Sequence, residues 1–270
     1  MTVALVEPIP NAPAATARVG DERALVVADY HAGIEAGLRY ERGVELASQA
    51  AERRARVLSL CDRTDPDRVV VLGDLAHRIG EPGTVEREEL TALVDAVTDR
   101  VPMTLVPGNH DGGLDEVYGD RLDVAPPGGV RLGDVGLLHG HTWPAPTVLG
   151  AETVCMGHEH PTVRLQDSVG GSRVERAWLR GRLRRAPFDA RRDDPTDGDE
   201  SADCDESPRR DAPAWNDPEL VVFPAFNDRS GGTWVNVEGQ SFLAPFLPDA
   251  LESGDAYLLD GTRLGPYREV

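Results

Sequence analysis

Every histidine of this chain lies in one of five short polar clusters. They are Asp29-Tyr30-His31, Gly73-Asp74-Leu75-Ala76-His77, Gly108-Asn109-His110-Asp111, His139-Gly140-His141 and Gly157-His158-Glu159-His160. Histidines used for packing or solvation would be scattered. Imidazole nitrogens and carboxylate oxygens grouped this way are divalent-metal ligands, and a site with an open coordination position does hydrolytic chemistry. Asp29 and His31 are two apart on a strand end and share a face, so both can serve one cation. Asp74 has two oxygens and follows a glycine, which makes it the natural carboxylate to bridge two cations. Asn109 supplies a neutral oxygen, His139 and His158 complete the second cation, and His160 returns to the first while Glu159 points away. Taken singly these signals are weak: D-x-H is common, and a lone His77 is more often a core histidine than a ligand. Taken in order, with every histidine used, they are strong and indicate a two-metal hydrolase.

The elements that must carry these clusters are legible. ALVVA, RVVVL, MTLVP and VGLL precede four of them, and TVCM precedes the fifth. Ala14–Val19 and Ala24–Asp29 read as a hairpin through Gly20-Asp21. Residues from about Ala36 to Asp62 are proline-free and rich in Ala, Leu, Glu and Arg, which favours helix. Leu90, Leu93, Val94 and Val97 give the stretch Val85–Arg100 one apolar face. Strand and helix therefore alternate in the first half, as in a partly parallel sheet. In the second half Val130–Leu132, Val135–Leu138, Thr153–Met156, Val163–Leu165, Arg176–Leu179, Leu220–Phe223, Thr233–Val237 and Ala256–Leu259 read as short strands of a more antiparallel sheet. The expected fold is α/β, a four-layer α/β/β/α sandwich with two mixed sheets face to face and helices outside. Residues 1–270 are expected to form a single domain. The stretch from about Arg182 to Asp217 is acidic and proline-containing and cannot bury enough apolar area to order itself, so it reads as a disordered insertion.

The formal net charge is −19, and all 28 basic residues are arginine, with no lysine. Such a surface suits a protein kept soluble in concentrated salt, which points to a halophile's cytosol; arginine enrichment in a high-GC genome is the alternative. Cys61, Cys155 and Cys204 carry no metal or disulfide spacing and fit a reducing, cytoplasmic setting. No run of apolar residues is long enough to span a membrane. The negative charge disfavours a broad nucleic-acid surface, an argument that weakens in high salt. The best candidate for a basic groove is Arg176, Arg180, Arg182, Arg184 and Arg185, for which a solvated surface is the plainer reading.

The five clusters, in this order, resemble the calcineurin-like metallophosphoesterase superfamily. Gly73-Asp74-Leu75-Ala76-His77, His139-Gly140-His141-Thr142-Trp143-Pro144, Gly157-His158-Glu159-His160-Pro161 and Pro224-Ala225-Phe226-Asn227 with Gly231-Gly232 make the chain resemble archaeal SbcD-related and DNA-ligase-associated members more narrowly. The resemblance implies a first cation on Asp29, His31, Asp74 and His160, and a second on Asp74, Asn109, His139 and His158. It implies that His110 contacts the phosphate and acts as general acid, with Asp111 holding its ring in the useful tautomer. His141 is expected behind the ligands, orienting His139 or its loop, and His77 is assigned no metal bond. The implied reaction is hydrolysis of a phosphodiester by a hydroxide activated between two cations. Ligands of oxygen and nitrogen without thiolate suit Mn²⁺, with Fe or Zn²⁺ as alternatives. The substrate is expected to be a phosphoester such as a nucleotide or single-stranded nucleic acid. The rivals are a DNA nuclease in repair and a non-catalytic scaffold that keeps the fold; an intact constellation argues against the scaffold.

Overall fold

The computed structural model describes residues 4–167, 169–192 and 215–270. Six strands form the first sheet in chain order: β1 (Val6–Pro8), β2 (Ala14–Val19), β3 (Glu22–Ala28), β4 (Arg68–Leu72), β5 (Met103–Val106) and β6 (Asp123–Val124). The first three pair antiparallel, and β3 to β6 pair parallel. Parallel neighbours need long connections, which here carry α1 (Ile34–Arg42), α2 (Ala50–Thr64), α3 (Thr84–Thr98) and α4 (Leu114–Tyr118). The second sheet has eight strands. They are β7 (Val130–Leu132), β8 (Val135–Leu138), β9 (Thr153–Met156), β10 (Thr162–Gln166), β11 (Ser172–Leu183), β12 (Glu219–Val222), β13 (Leu251–Leu258) and β14 (Arg263–Pro266). Their order is β14-β13-β11-β12-β9-β8-β7, with β10 paired to β11. Only β8–β9 and β9–β12 are parallel pairs.

Period-two alternation builds three cores from these strands. Leu25, Val27, Val69, Val71 and Leu105 face outward onto α2 and α3, where Val57, Leu60, Leu90 and Val94 meet them. Val26, Ala28, Val70, Leu72 and Val106 face inward and pack against Leu137, Cys155, Trp178, Val221 and Phe223 of the second sheet. Met156, Leu179, Leu220 and Val222 face the far side, covered by Val148 and Leu149 of the short helix α5 (Pro146–Leu149) and by Val235, Ala244 and Phe246. The result is the expected α/β/β/α order, with an outer layer over the second sheet that is made more of irregular chain than of helix.

Three expectations are corrected. The helical stretch 36–62 is two helices, because Gly43 takes a left-handed φ of 65° and closes α1 there. Thr233–Val237 is not a strand: apart from one bridge between Thr162 and Trp234 its pairing stops, since Arg164 N–H goes to the Asn236 side chain and Val237 N–H to Trp234 O. Residues 182–192 are not part of an unstructured insertion. β11 runs on to Leu183, and α6 (Ala186–Arg192) packs Phe188 against Trp143, Trp215 and Phe246. Residues 193–214 of that reading lie outside the described residues. No helix among the described residues is long and apolar enough to cross a membrane.

The parallel strands β3, β4 and β5 are in register at their last residues, Ala28, Leu72 and Val106. In the second sheet β8, β9 and β12 are likewise aligned at Leu138, Met156 and Val222. In open α/β sheets ligands bind beyond such carboxyl ends. All five polar clusters begin within two residues of one of them.

The loop after His31 is anchored by a buried ionic triad. Arg53 of α2 bonds to Glu35 of α1 at 3.0 and 3.1 Å and to Glu89 of α3 at 2.8 to 3.0 Å. Glu89 also accepts the N–H of Gly33 at 2.8 Å. Substituting Arg53→Leu leaves two carboxylates buried without their cation, an uncompensated arrangement that costs about 3–5 kcal/mol. Urea unfolding at neutral pH should report that loss; a change below about 1 kcal/mol, the level of a surface pair, would show that the triad does not tie the three helices.

Candidate metal centre

The clusters converge. Asp29 is fully buried, its N–H donating to Gly73 O at 3.1 Å and its carboxylate accepting the N–H of His158 at 3.2 Å on both oxygens. His160 Nε2 lies 3.2 Å from Asp29 Oδ1 and 3.4 Å from His31 Nε2. Asp74 sits between two sets of rings: Oδ2 is 3.7 Å from His31 Nε2, and Oδ1 is 3.4 Å from His139 Nε2. The backbone bends sharply to achieve this. Asp29, His31, Asp74, His158 and His160 all adopt positive φ, between 44° and 68°. Non-glycine residues pay roughly 1–3 kcal/mol each for such conformations, which persist where the surroundings enforce them and cluster at functional sites. Glycines make the close approach feasible: a Cβ at Gly73 would run into the His139 ring, and one at Gly108 into Asp74 Oδ1.

Two groups of ligand atoms result, each with all members within 4.8 Å of one another: Asp29, His31, Asp74 and His160, and Asp74, His139 and His158. Asp74 belongs to both. The donor set fits a pair of divalent cations. His139 Nδ1 is held by Leu72 O at 2.9 Å, and its buried Nε2 has no hydrogen-bond partner. His160 Nδ1 is held by Gly231 O at 2.8 Å. A backbone carbonyl on Nδ1 fixes the tautomer that turns the Nε2 lone pair inward, as metal-binding imidazoles require.

The other candidates fall as follows. Asn109 is exposed. His110 is half-buried, its N–H bonded to Asp74 Oδ1 at 3.1 Å and its Nε2 3.8 Å from Asp74 Oδ2. The expected Asp111–His110 ring contact is replaced. The partner of His110 Nδ1 is the carbonyl of His77. Asp111 instead accepts Ala76 N–H at 3.0 Å and Gly108 N–H at 2.8 Å, tying the loop after β4 to the loop after β5. Asp111 is buried and spent on these two N–H groups, while the His110 ring packs against those of His31 and His77. His77 stands beside His31 and His110 in a third group of nitrogens within 4.8 Å, packed on Gly37. His141 lies behind, 5.3 Å from the ring of His139 and 6.3 Å from that of His158. The five arginines proposed as a basic groove are occupied. Arg176 pairs with Asp228, Arg180 with Glu219, Arg182 with Asp217 and Arg185 with Asp189, and Arg184 bonds Leu251 O. Glu86 was not anticipated; it accepts the N–H groups of His77 and Arg78 at 2.6 and 2.9 Å, and its place at the third position of α3 was the available signal.

The calcineurin-like phosphoesterase family matches the chain over residues 22–150. No curated protein matches it in sequence. Among solved structures, the Pseudomonas putida nuclease MPE is 19% identical, with 96% of this chain and 100% of that one covered and a TM-score of 0.53, and so shares the fold. YfcE, a phosphoesterase from E. coli, is 22% identical over 54% of this chain and 74% of that one, with a TM-score of 0.32, a likeness too slight to carry weight.

Burial pushes Asp74 up to about 8, and the charges of Asp29 and Asp111 add to the effect. Burial acts the same way on Asp29, but the charge and hydrogen bond of His160, together with the charges of His139 and His31, outweigh it and hold the group at about 2. His160 is lowered by burial, but the charge and hydrogen bond of Asp29, the Gly231 carbonyl and the charge of Asp74 together raise it further, to about 9. Burial drives His31 well below its ordinary value and lowers His139 to about 3 and His158 to about 4. At neutral pH the metal-free centre therefore carries protons on Asp74 and His160 that a cation must displace. Mn²⁺ affinity should rise with pH and level off above about 9. Calorimetry in buffers of different ionisation enthalpy would detect the released protons; uptake without proton release at neutral pH would contradict this charge distribution.

Proposed function

We propose that this chain is a calcineurin-like phosphoesterase that hydrolyses a phosphodiester at a pair of divalent cations. The observation that carries the reading is the sharing of Asp74 between two ligand groups, one completed by Asp29, His31 and His160 and the other by His139 and His158. We assign the side-chain oxygen of the exposed Asn109 to the second group, where the family resemblance of the Gly108-Asn109-His110-Asp111 cluster puts it. Two cations so held would neutralise charge on the phosphoryl oxygens and acidify the attacking water. The oxygen and nitrogen ligands favour Mn²⁺, with Fe or Zn²⁺ as alternatives.

The chain's own groups do the rest. Asp29 keeps negative charge beneath the site and Asp74 joins it when a cation displaces its proton, so the positive charge that receives an anionic substrate comes from the cations. His110 stands at the open side. With Nδ1 held by the His77 carbonyl, its Nε2 is the nitrogen free to give a proton to the departing oxygen. Asp111 holds the peptide that carries it, by way of Gly108 and Ala76. The walls shape substrate choice more than the ligands do. The arginines of β11 and its end are paired with acids or carbonyls, which disfavours a duplex-binding groove there. A nucleotide or single-stranded phosphodiester is the substrate class we favour, and the fold shared with a nuclease is the reason to include single-stranded DNA among the substrates tried.

Protein stripped by chelator should lose activity on bis-(4-nitrophenyl) phosphate, and Mn²⁺ should restore it; full turnover without metal would end the proposal. Replacing His110→Ala should lower kcat by about 10²–10⁴, the worth of a positioned acid, with Mn²⁺ still bound. Unchanged turnover in that variant would remove His110 from the chemistry.

A further inference from the structure

A segment of chain well beyond residue 150, where the family match ends, closes the back of the centre. β12 ends level with β9, so the chain leaves the second sheet at the same edge as the ligand loops. Phe226 N–H donates to Ala28 O at 2.8 Å, and the Asn227 side chain donates to Asp29 O at 2.9 Å. Asn227 Oδ1 accepts the N–H groups of Arg229 and Ser230 at 2.8 and 2.7 Å, turning the chain toward His160. There Gly231 O receives His160 Nδ1, and Gly232 lies so close to His160 O that no Cβ would fit. The strap from Asn227 to Ala244 thus touches the backbone of one ligand, Asp29, and the ring of another, His160.

Glu159 ties the strap down. Its side chain turns away from the cation ligands, is fully buried, and accepts four hydrogen bonds from three residues. Thr233 Oγ1 reaches Oε2 at 2.8 Å, Leu243 N–H reaches Oε1 at 2.9 Å and Oε2 at 3.1 Å, and Ala244 N–H reaches Oε1 at 2.7 Å. Glu159 O accepts Thr233 N–H at 2.9 Å. Burying a carboxylate is costly unless its oxygens are satisfied. Here the donors that satisfy it all come from the strap, while its own backbone sits between His158 and His160.

We infer that Glu159 is a positioning residue: by clamping the 231–244 strap onto the His158–His160 loop, it holds Gly231 O against His160 Nδ1 and so aims His160 Nε2 at the first ligand group. Partners that orient a metal-binding imidazole from behind are worth about 10–100-fold in metal affinity. The inference rests on the two-cation reading, and the wild-type titration below tests that reading separately.

Full-length protein is stripped of metal and titrated with Mn²⁺, free ion being followed by electron paramagnetic resonance, with melting of each metal-free form recorded alongside. Wild type should bind two Mn²⁺ per chain. Glu159→Ala should weaken one of them by about 10–100-fold and the other by less. Glu159→Gln, which keeps an oxygen for the Leu243 and Ala244 donors, should recover most of the loss. Should Glu159→Ala fail to fold, Thr233→Val removes a single donor and should give a smaller loss at the same cation. Wild type that takes up no Mn²⁺ would overturn the cation reading and this inference with it. Two normal affinities in Glu159→Ala, or in Thr233→Val where that variant is used, would overturn the positioning role alone, whatever happens to the melting temperature.

Discussion

Two carboxylates, Asp29 and Asp74, are buried within reach of the same imidazoles, and this crowding of ionisable groups governs the rest of the molecule. A buried charge is unfavourable unless paired. In the metal-free centre His160, held protonated by Asp29, supplies cationic help, while Asp74 keeps its own proton. Divalent cations would resolve the conflict, since each supplies two charges where the protein otherwise relies on shared protons. Stability and metal occupancy are therefore linked at this site by the same electrostatics that would make it reactive.

Holding such a site open demands rigidity. Asp29, His31, Asp74, His158 and His160, all at positive φ, are not a conformation that short loops adopt unaided. The packed strands behind them supply the constraint. Inward residues of the first sheet lock against Trp178 and Phe223 of the second, so the loops of the two sheets face each other across a fixed gap. Gly73 and Gly108 then let backbone approach ring and carboxylate at distances that any side chain would prevent. On the helical side the Arg53 triad fixes the turn after His31. On the other side the strap from Asn227 to Ala244 fixes Asp29 and His160.

Reading residues in order found most of the side chains that converge at the candidate centre, because their chemistry is local. Asp29-x-His31 and His158-x-His160 show two-residue spacing, and strand-like runs precede every cluster. The same reading went astray where the answer depends on what lies across the fold. Asp111 follows His110 and looks like its orienting partner, but the loop turns the two side chains in different directions. Glu159 reads as a spacer pointing away, which it does; its meaning lies in Thr233, Leu243 and Ala244, more than seventy positions on. The arginines of β11 read as a basic patch because their acidic partners are distant in the chain. Thr233–Val237 has strand-forming residues and yet divides its N–H groups among Glu159 O, Thr162 O and its own Trp234 O.

From residue types and spacing alone came the α/β alternation, the places where strands end and the set of side chains able to bind cations, because periodicity and ligand chemistry are properties of short segments. Tertiary structure alone decided which oxygen of Asp74 faces which ring, which carbonyls set the histidine tautomers, and that a late segment buttresses the centre. Those depend on directions and distances between atoms far apart in the chain, and only packing of the two sheets sets them.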